Sequence, residues 1–320
     1  MYEIPSLPGR RGSFHDQVFK DLIGRFLPDF LTLVAPEPAA RLDLSCWTLL
    51  DKETFTDWPK GKRRELDLLV EVPLADGSGR TALVHVEIEA RARRAIGLRL
   101  AGYFMQIRLR HGRPVVPAVL CLRGGRPGIN LEVVVDAELG REIGRFYYYS
   151  FGLEKSRAED FLAKDQPLAW ALAALMRSET LSRAEHKMAC LRRIAAASLD
   201  DLRRFLLVNC VETYLQLQGR DAEELEALEA RGNAEEVRVM RMTWAEELEA
   251  KGRATGVEMG KREGLEMGFW QALLRQLGVR FGPLSDDVKR RVEAIRSVER
   301  LNQIAEQILV ASSLEELGLR

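Results

Sequence analysis

The sequence predicts an α/β protein, a sheet flanked by helices, followed by an all-α C-terminal region. Three observations carry this expectation. Residues 66–72, LDLLVEV, and 82–89, ALVHVEIE, alternate apolar and polar side chains around a Gly-Ser-Gly turn at 77–79, the signature of a hairpin. Over 92–111 the period returns to helical, and VVPAVLCL at 115–122 is then continuously apolar, as in a strand covered on both faces. After FYYYSFGLEK the strand signals stop.

In chain order, 14–31 reads FHDQVFKDLIGRFLPDFL, with Phe14, Val18, Leu22 and Phe26 at four-residue spacing. Phe19, Ile23 and Leu27 widen that stripe, so a core-facing helix is expected, ended by Pro28. The hairpin comes next. The helix of 92–111 places Ile96, Leu100, Phe104 and Ile107 on one side and Arg99, Tyr103, Gln106 and Arg110 on another. A further strand is expected over 130–136, and Tyr147 to Tyr149 read as strand packing. Residues 157–230 read as several packed helices, and the Ala-, Leu- and Glu-rich 221–250 as a solvated one.

Glycines recur at 252, 256, 260, 264 and 268, a step that drifts slowly around a helix and makes a ridge. Each costs a helix about 1 kcal/mol relative to alanine, so the stretch is either a flexible linker or a close helix contact, including one between subunits. Ser285 before Asp-Asp-Val, and Ser313 three residues ahead of Glu316, signal helix starts in a small terminal unit. The expected organisation is therefore 1–150, 151–250, 251–268 and 269–320.

The whole chain carries 48 basic and 48 acidic residues, which excludes a general polycation and an acidic disordered tail. The zero sum hides structure: residues 60–126 hold fourteen basic against six acidic side chains, and 221–250 three against ten. The N-terminus lacks the apolar core of a secretion signal, and the longest purely apolar run, Leu168 to Met176, is far too short to span a bilayer. No membrane partner is expected. Cys46, Cys121, Cys190 and Cys210 are scattered without ligand spacing, so they are read as reduced core thiols of a cytoplasmic protein, with no zinc site.

The hairpin is where chemistry is expected. Alternation puts Val84, Val86 and Ile88 on one face of the second strand and His85, Glu87 and Glu89 on the other. In the first strand Leu66, Leu68, Val70 and Val72 face one way, and Asp67, Leu69 and Glu71 the other. Asp67, Glu87 and Glu89 then share a face. Converging carboxylates need a cation among them, and hard oxygen ligands suit Mg²⁺ or Mn²⁺, which polarises a phosphate and activates a water. Glu-x-Glu alone is also what a solvent-facing antiparallel strand shows.

Together, HDQVFKDL (15–22), RRELDLLVEV (63–72), LVHVEIEAR (83–91), LRLAGYFMQIRL (98–109) and RPVVPAVLCL (113–122) resemble the PD-(D/E)XK nuclease superfamily. Within it the likeness is closest to the Rpn family of recombination-promoting, transposase-like nucleases, over roughly residues 14–150. The resemblance implies a mixed-sheet nuclease core and a metal-dependent DNA endonuclease associated with mobile elements or recombination. Asp67, Glu87 and Glu89 would be its catalytic, metal-binding residues, with Mg²⁺ or Mn²⁺ as cofactor. Asp16 matches an assisting acidic position, and Arg99 and Tyr103 match the helix bordering the cleft, where an arginine holds a phosphate through paired hydrogen bonds.

Glu89 stands where such nucleases usually carry lysine. Lys20, Lys60 and Lys62 are the candidates for supplying the missing cation, and His85 is expected to be structural. The cluster Arg91, Arg93 and Arg94 reads either as a solvated face or as a phosphate contact. Two other readings stay open: a non-catalytic binding or oligomerisation module with a decayed site, and an RNA nuclease, because cation-assisted cleavage does not itself distinguish the sugar. The glycine ridge and the 221–250 helix point to a homodimer through the C-terminal helices.

Overall fold

A computed structural model describes residues 11–50, 54–57, 62–137, 140–231, 234–295 and 298–319. Side chains at 11–16, 54–57, 62–65, 251, 254–268, 293 and 298–299 lie outside the described set. The chain opens with α1 (Arg11–Arg25) and α2 (Leu27–Val34). Pro28 does not end the first helix as expected: the break falls at Phe26, and Pro28 sits in the first turn of α2. Its missing N–H is harmless there, because the first amides of a helix have no intrahelical acceptor. Phe19, Leu22, Ile23 and Leu27 are fully buried, as the stripe requires.

A short α3 (Pro36–Ala39) leads to β1 (Thr48–Leu49), and β2 (Thr54–Asp57) pairs with β3 (Lys62–Glu65) outside the main sheet. The expected hairpin is β4 (Leu68–Pro73) and β5 (Thr81–Glu89), antiparallel from Leu68 opposite Val86 to Pro73 opposite Thr81. Gly77 and Gly79 take φ of +69° in its turn, a region L side chains rarely enter. Asp76 secures the turn by accepting hydrogen bonds from the Ser78 amide and the Arg80 guanidinium, each at 2.9 Å. Alternation is wrong at one end. Leu66 packs on the same side as Leu69 and Leu83, because 66 and 67 precede the strand and Asp67 sits in a bend.

The βαβ step runs from β5 through α4 (Ile96–His111) to β6 (Val115–Cys121), and β7 (Gly128–Asp136) and β8 (Gly144–Gly152) complete the strands. Spatial order is β1-β4-β5-β6-β8-β7. The β5–β6 and β6–β8 pairs are parallel and the others antiparallel, so the six-stranded sheet is mixed. At the end of β8, a Cβ built on Gly152 would overlap the Arg126 carbonyl oxygen. Gly152→Ala is therefore expected to lose about 1–3 kcal/mol of unfolding free energy, read by denaturant titration; an unchanged midpoint would refute this close approach.

Each sheet face has its own cover. Val70, Val84, Val86, Ile88, Ala118, Leu120 and Phe151 belong to one core with α1 and α2 and with α5 (Ala158–Leu162), α6 (Pro167–Ala173), α7 (Arg183–Ala196), α8 (Asp201–Tyr214) and α9 (Arg220–Arg231). That core is continuous from Phe19 to Met240, so the end of the strands at residue 152 is not the end of a compact unit. Compactness instead divides the chain into 1–244 and 245–320. The opposite face lies under α4, in two smaller apolar clusters. One holds Leu66, Leu69, Leu83, Tyr103 and Ile107, and the other Ile96, Leu100, Val119 and Cys121.

Helix α10 (Glu235–Phe281) is continuous through 251–268, so the backbone of the glycine-rich stretch is helical. Its ridge contacts lie outside the described side chains, except that a Cβ at Gly252 would meet nothing within 4 Å. In the second unit, Ser285 caps α11 (Asp286–Glu293) through the Val288 amide at 3.4 Å. With α12 (Val298–Gln307) it buries Leu277, Val292, Leu301 and Ile304. Ser313 accepts from the Glu316 amide as a cap would, yet residues 314–318 form a turn and not a helix.

Among the described residues, no helix is long and apolar enough to cross a membrane. The thiol expectation needs one correction: Cys46 is exposed, whereas Cys121, Cys190 and Cys210 are buried and all four are free. Burial pushes the thiol of Cys121 up to about 11 and that of Cys190 up to about 12.

Candidate active site

On its α4 side, β5 presents Leu83, His85, Glu87 and Glu89 in succession, the even-numbered residues having gone to the main core. Leu83 joins the apolar cluster. The next three are polar and nearly sealed, at 0%, 5% and 8% exposure. Buried charges persist only when paired and hydrogen-bonded, and each of these has its partner.

Glu87 is the centre. One carboxylate oxygen lies 3.1 Å from His85 Nε2 and accepts from the Asp67 amide at 3.5 Å, while the other lies 3.4 Å from Arg99 Nη2. The same Nη2 pairs with Glu89 Oε1. Arg93, exposed, brings Nε to 3.9 Å from the remaining Glu89 oxygen. Asp67, placed by the bend before β4, accepts from the Ile88 amide at 2.8 Å and meets Lys20 Nζ of α1 at 2.9 Å. Tyr103 of α4 sets its ring edge-on to His85 at 5.8 Å between centroids.

The electrostatics follow from burial and crowding. Burial pushes the Asp67 carboxyl above its usual range, and the charge of Glu87 adds to this against the Ile88 amide and Lys20. Burial works against the charge of Arg99, but the hydrogen bond and charge of Glu89, with Glu87 behind, more than offset it and hold the guanidinium firmly protonated. Two buried nitrogens here, His85 Nδ1 and Arg99 Nε, have no hydrogen-bond partner among the described residues.

The structure thus brings Asp67, Glu87, Glu89, Arg99 and Tyr103 to one place beneath α4, with His85. Asp16 lies in α1 one turn before Lys20, its side chain outside the described set. Of the three lysines, Lys20 reaches the carboxylates; Lys60 and the side chain of Lys62 lie outside the described residues. Arg91 and Arg94 are exposed beside Arg93 in the loop after β5. Tyr148 stacks on Phe146 at 6.0 Å, and Tyr149 packs against the main core. Sequence reasoning missed the Ile88 amide, since a backbone donor leaves no compositional trace, and it missed the double contact of Arg99.

Three hard-oxygen carboxylates around a buried point are the donor chemistry of a Mg²⁺ or Mn²⁺ site. Their oxygens, however, are engaged by Lys20 and Arg99, and among the described residues no group of three or more His, Cys, Asp or Glu side chains is spaced to hold a metal ion. The residue types suit such an ion, but their arrangement, closed by Lys20 and Arg99, does not fit one. No protein-family model, curated protein or solved structure matches this chain.

Proposed function

We propose that this chain is a Mg²⁺- or Mn²⁺-dependent phosphodiesterase of PD-(D/E)XK type that cleaves DNA. The carrying observation is the convergence of Asp67, Glu87 and Glu89, two of them on one strand, with Lys20 and Arg99 set among them. The order of elements supports the reading: a first helix, an acidic residue opening one strand, a short turn, an apolar strand ending Glu-x-Glu, a helix, and a buried strand. The likeness to Rpn nucleases extends the proposal to mobile elements or recombination. The glycine spacing of α10 and the charged 221–250 segment extend it to a homodimer.

A bound divalent cation supplies a polarised phosphate and a water of lowered pKa. Asp67 and Glu87 would hold it, since the bend before β4 brings Asp67 close enough for its amide to reach Glu87 and for the two charges to interact, and Glu89 would complete the set. Lys20, 2.9 Å from Asp67, provides the positive charge that a lysine at position 89 would otherwise bring, steadying charge that develops on the phosphate. The exposed Arg91, Arg93 and Arg94 would give phosphates a landing surface beside Glu89.

Purified protein is expected to nick plasmid DNA with Mn²⁺ or Mg²⁺ and to stop when the metal is chelated. Asp67→Ala should lower the rate by about 10²-fold or more; nicking that persists in that variant would sink the assignment. Digestion of labelled RNA beside DNA decides the sugar. The pairing of Arg99 with both glutamates favours one second reading, a non-catalytic module whose acidic cluster is closed by arginine. That reading requires no cleavage and no Mn²⁺ uptake.

A further inference from the structure

We propose that β7 is the pairing edge of a homodimer, in which a second copy of this chain adds its own β7 antiparallel and the two sheets become one. The inference is independent of the phosphodiesterase reading, and the surface is separate from the C-terminal helices.

The six-stranded sheet has two ends. β1 is two residues long, too short to template another strand, whereas β7 runs for nine and has β8 as its one strand neighbour among the described residues. A long row of unpaired amides and carbonyls invites a further strand, and proteins commonly blunt such an edge with lysine, an internal proline, a bulge or a covering segment. β7, GINLEVVVD, has no lysine and no proline, and its register with β8 runs unbroken from Gly128 to Asp136. The Asp136 carbonyl accepts from the Ile143 amide on the β8 side, so alternation turns the backbone groups of Ile129, Leu131, Val133 and Val135 outward. Their side chains share one face, where Leu131, Val133 and Val135 are exposed beside Tyr147 of β8.

The charges choose the partner and the register. β7 starts shortly after Arg126 and ends on Asp136, both exposed, so the strand is basic at one end and acidic at the other. An antiparallel copy turned about Leu131 sets each Asp136 opposite the other copy's Arg126 and each Glu132 opposite Asn130. Val133 then faces Ile129, and Leu131 faces itself, in pairs whose backbone groups point at each other. Moving the centre one residue, to Glu132, would instead oppose the two glutamates and leave Asp136 against Gly128. A second copy therefore supplies unlike charges, apolar cross-strand neighbours and the missing strand together.

Light scattering of the full chain over a concentration series tests this. Wild type is expected to associate, and Val133→Lys, at an exposed position set against Ile129 in the pair, to halve the associated mass. If the C-terminal helices pair as well, the halving runs from tetramer to dimer. Arg126→Asp and Asp136→Arg should each weaken association about ten-fold, by opposing like charges at both ends of the pair. An equal mixture of those two variants should recover wild-type affinity, since every mixed pair opposes unlike charges, and that recovery also shows both to be folded. A monomeric wild type, which would leave the edge to a strand from another protein, overturns the proposal. So does a mass unmoved by Val133→Lys, or a mixture no tighter than its components when both variants show native circular dichroism.

Discussion

Glu212→Ala is expected to destabilise the first compact unit by about 3–5 kcal/mol. Glu212, 9% exposed, holds two cations at once: Lys187 Nζ at 2.7 Å and Arg241 Nε at 2.6 Å. Arg241 also pairs with Glu229, so one network ties α7, α8, α9 and the start of α10. Alanine would leave Lys187, itself 3% exposed, without its ion-pair partner, with Arg241 as a repelling neighbour and only the weaker charge effect of Glu229 to oppose it. Removing one partner of a buried pair is far costlier than removing both, so Lys187→Met with Glu212→Gln should recover much of the loss.

The same variant carries a pH signature whose sign is fixed. Burial already lowers the pKa of Lys187 in the native protein, opposed by Glu212; without Glu212 it falls further. A lysine depressed in the folded state binds fewer protons folded than unfolded between its two pKa values, so stability rises with pH there. The deficit of Glu212→Ala should therefore narrow as pH climbs toward the ordinary lysine value of about 10.4. Urea titrations across that range check it; a deficit under about 1 kcal/mol, or one flat in pH, would contradict the network's role.

The second large effect is expected at position 89. Restoring the lysine that the nuclease resemblance leads one to expect, by Glu89→Lys, should cost about 3–5 kcal/mol, because it removes the closest partner of Arg99 and sets a second cation against it at a site 8% exposed. Combining Glu89→Lys with Arg99→Gln removes that repulsion and leaves Asp67 and Glu87 matched by Lys20 and the new lysine. Unfolding free energies of the four proteins form a double-mutant cycle, with an expected coupling of about 1–3 kcal/mol. Additive losses would mean that Arg99 and Glu89 do not depend on each other.

The site was legible in the sequence where strand alternation governs, and illegible where long side chains or the backbone do. The period of two places His85, Glu87 and Glu89 on one side of β5 without any structure. It misplaces Leu66, because the bend at Asp67 interrupts the alternation before β4 begins. Lys20 was one of three lysines that spacing could not rank, since its reach to Asp67 depends on how α1 lies against the sheet. The double grip of Arg99 was hidden for the same reason. Pro28 shows a different limit: a proline bars the continuation of a helix and suits the start of one, and the sequence alone carries both meanings.

The shared core of sheet and helices also bears on how the chain is made. The last strand of the sheet ends at Gly152, yet the core on the apolar face of that sheet runs on to Met240, in the second turn of α10. A nascent chain leaving the ribosome at about 5–20 residues per second would hold that face incompletely covered for roughly 4–18 seconds. During that interval α5 to α8 emerge in turn to join α1 and α2 over Val84, Val86 and Phe151, so the site residues, all between Lys20 and Tyr103, are made well before this core closes, and the newborn chain is a client for chaperones meanwhile.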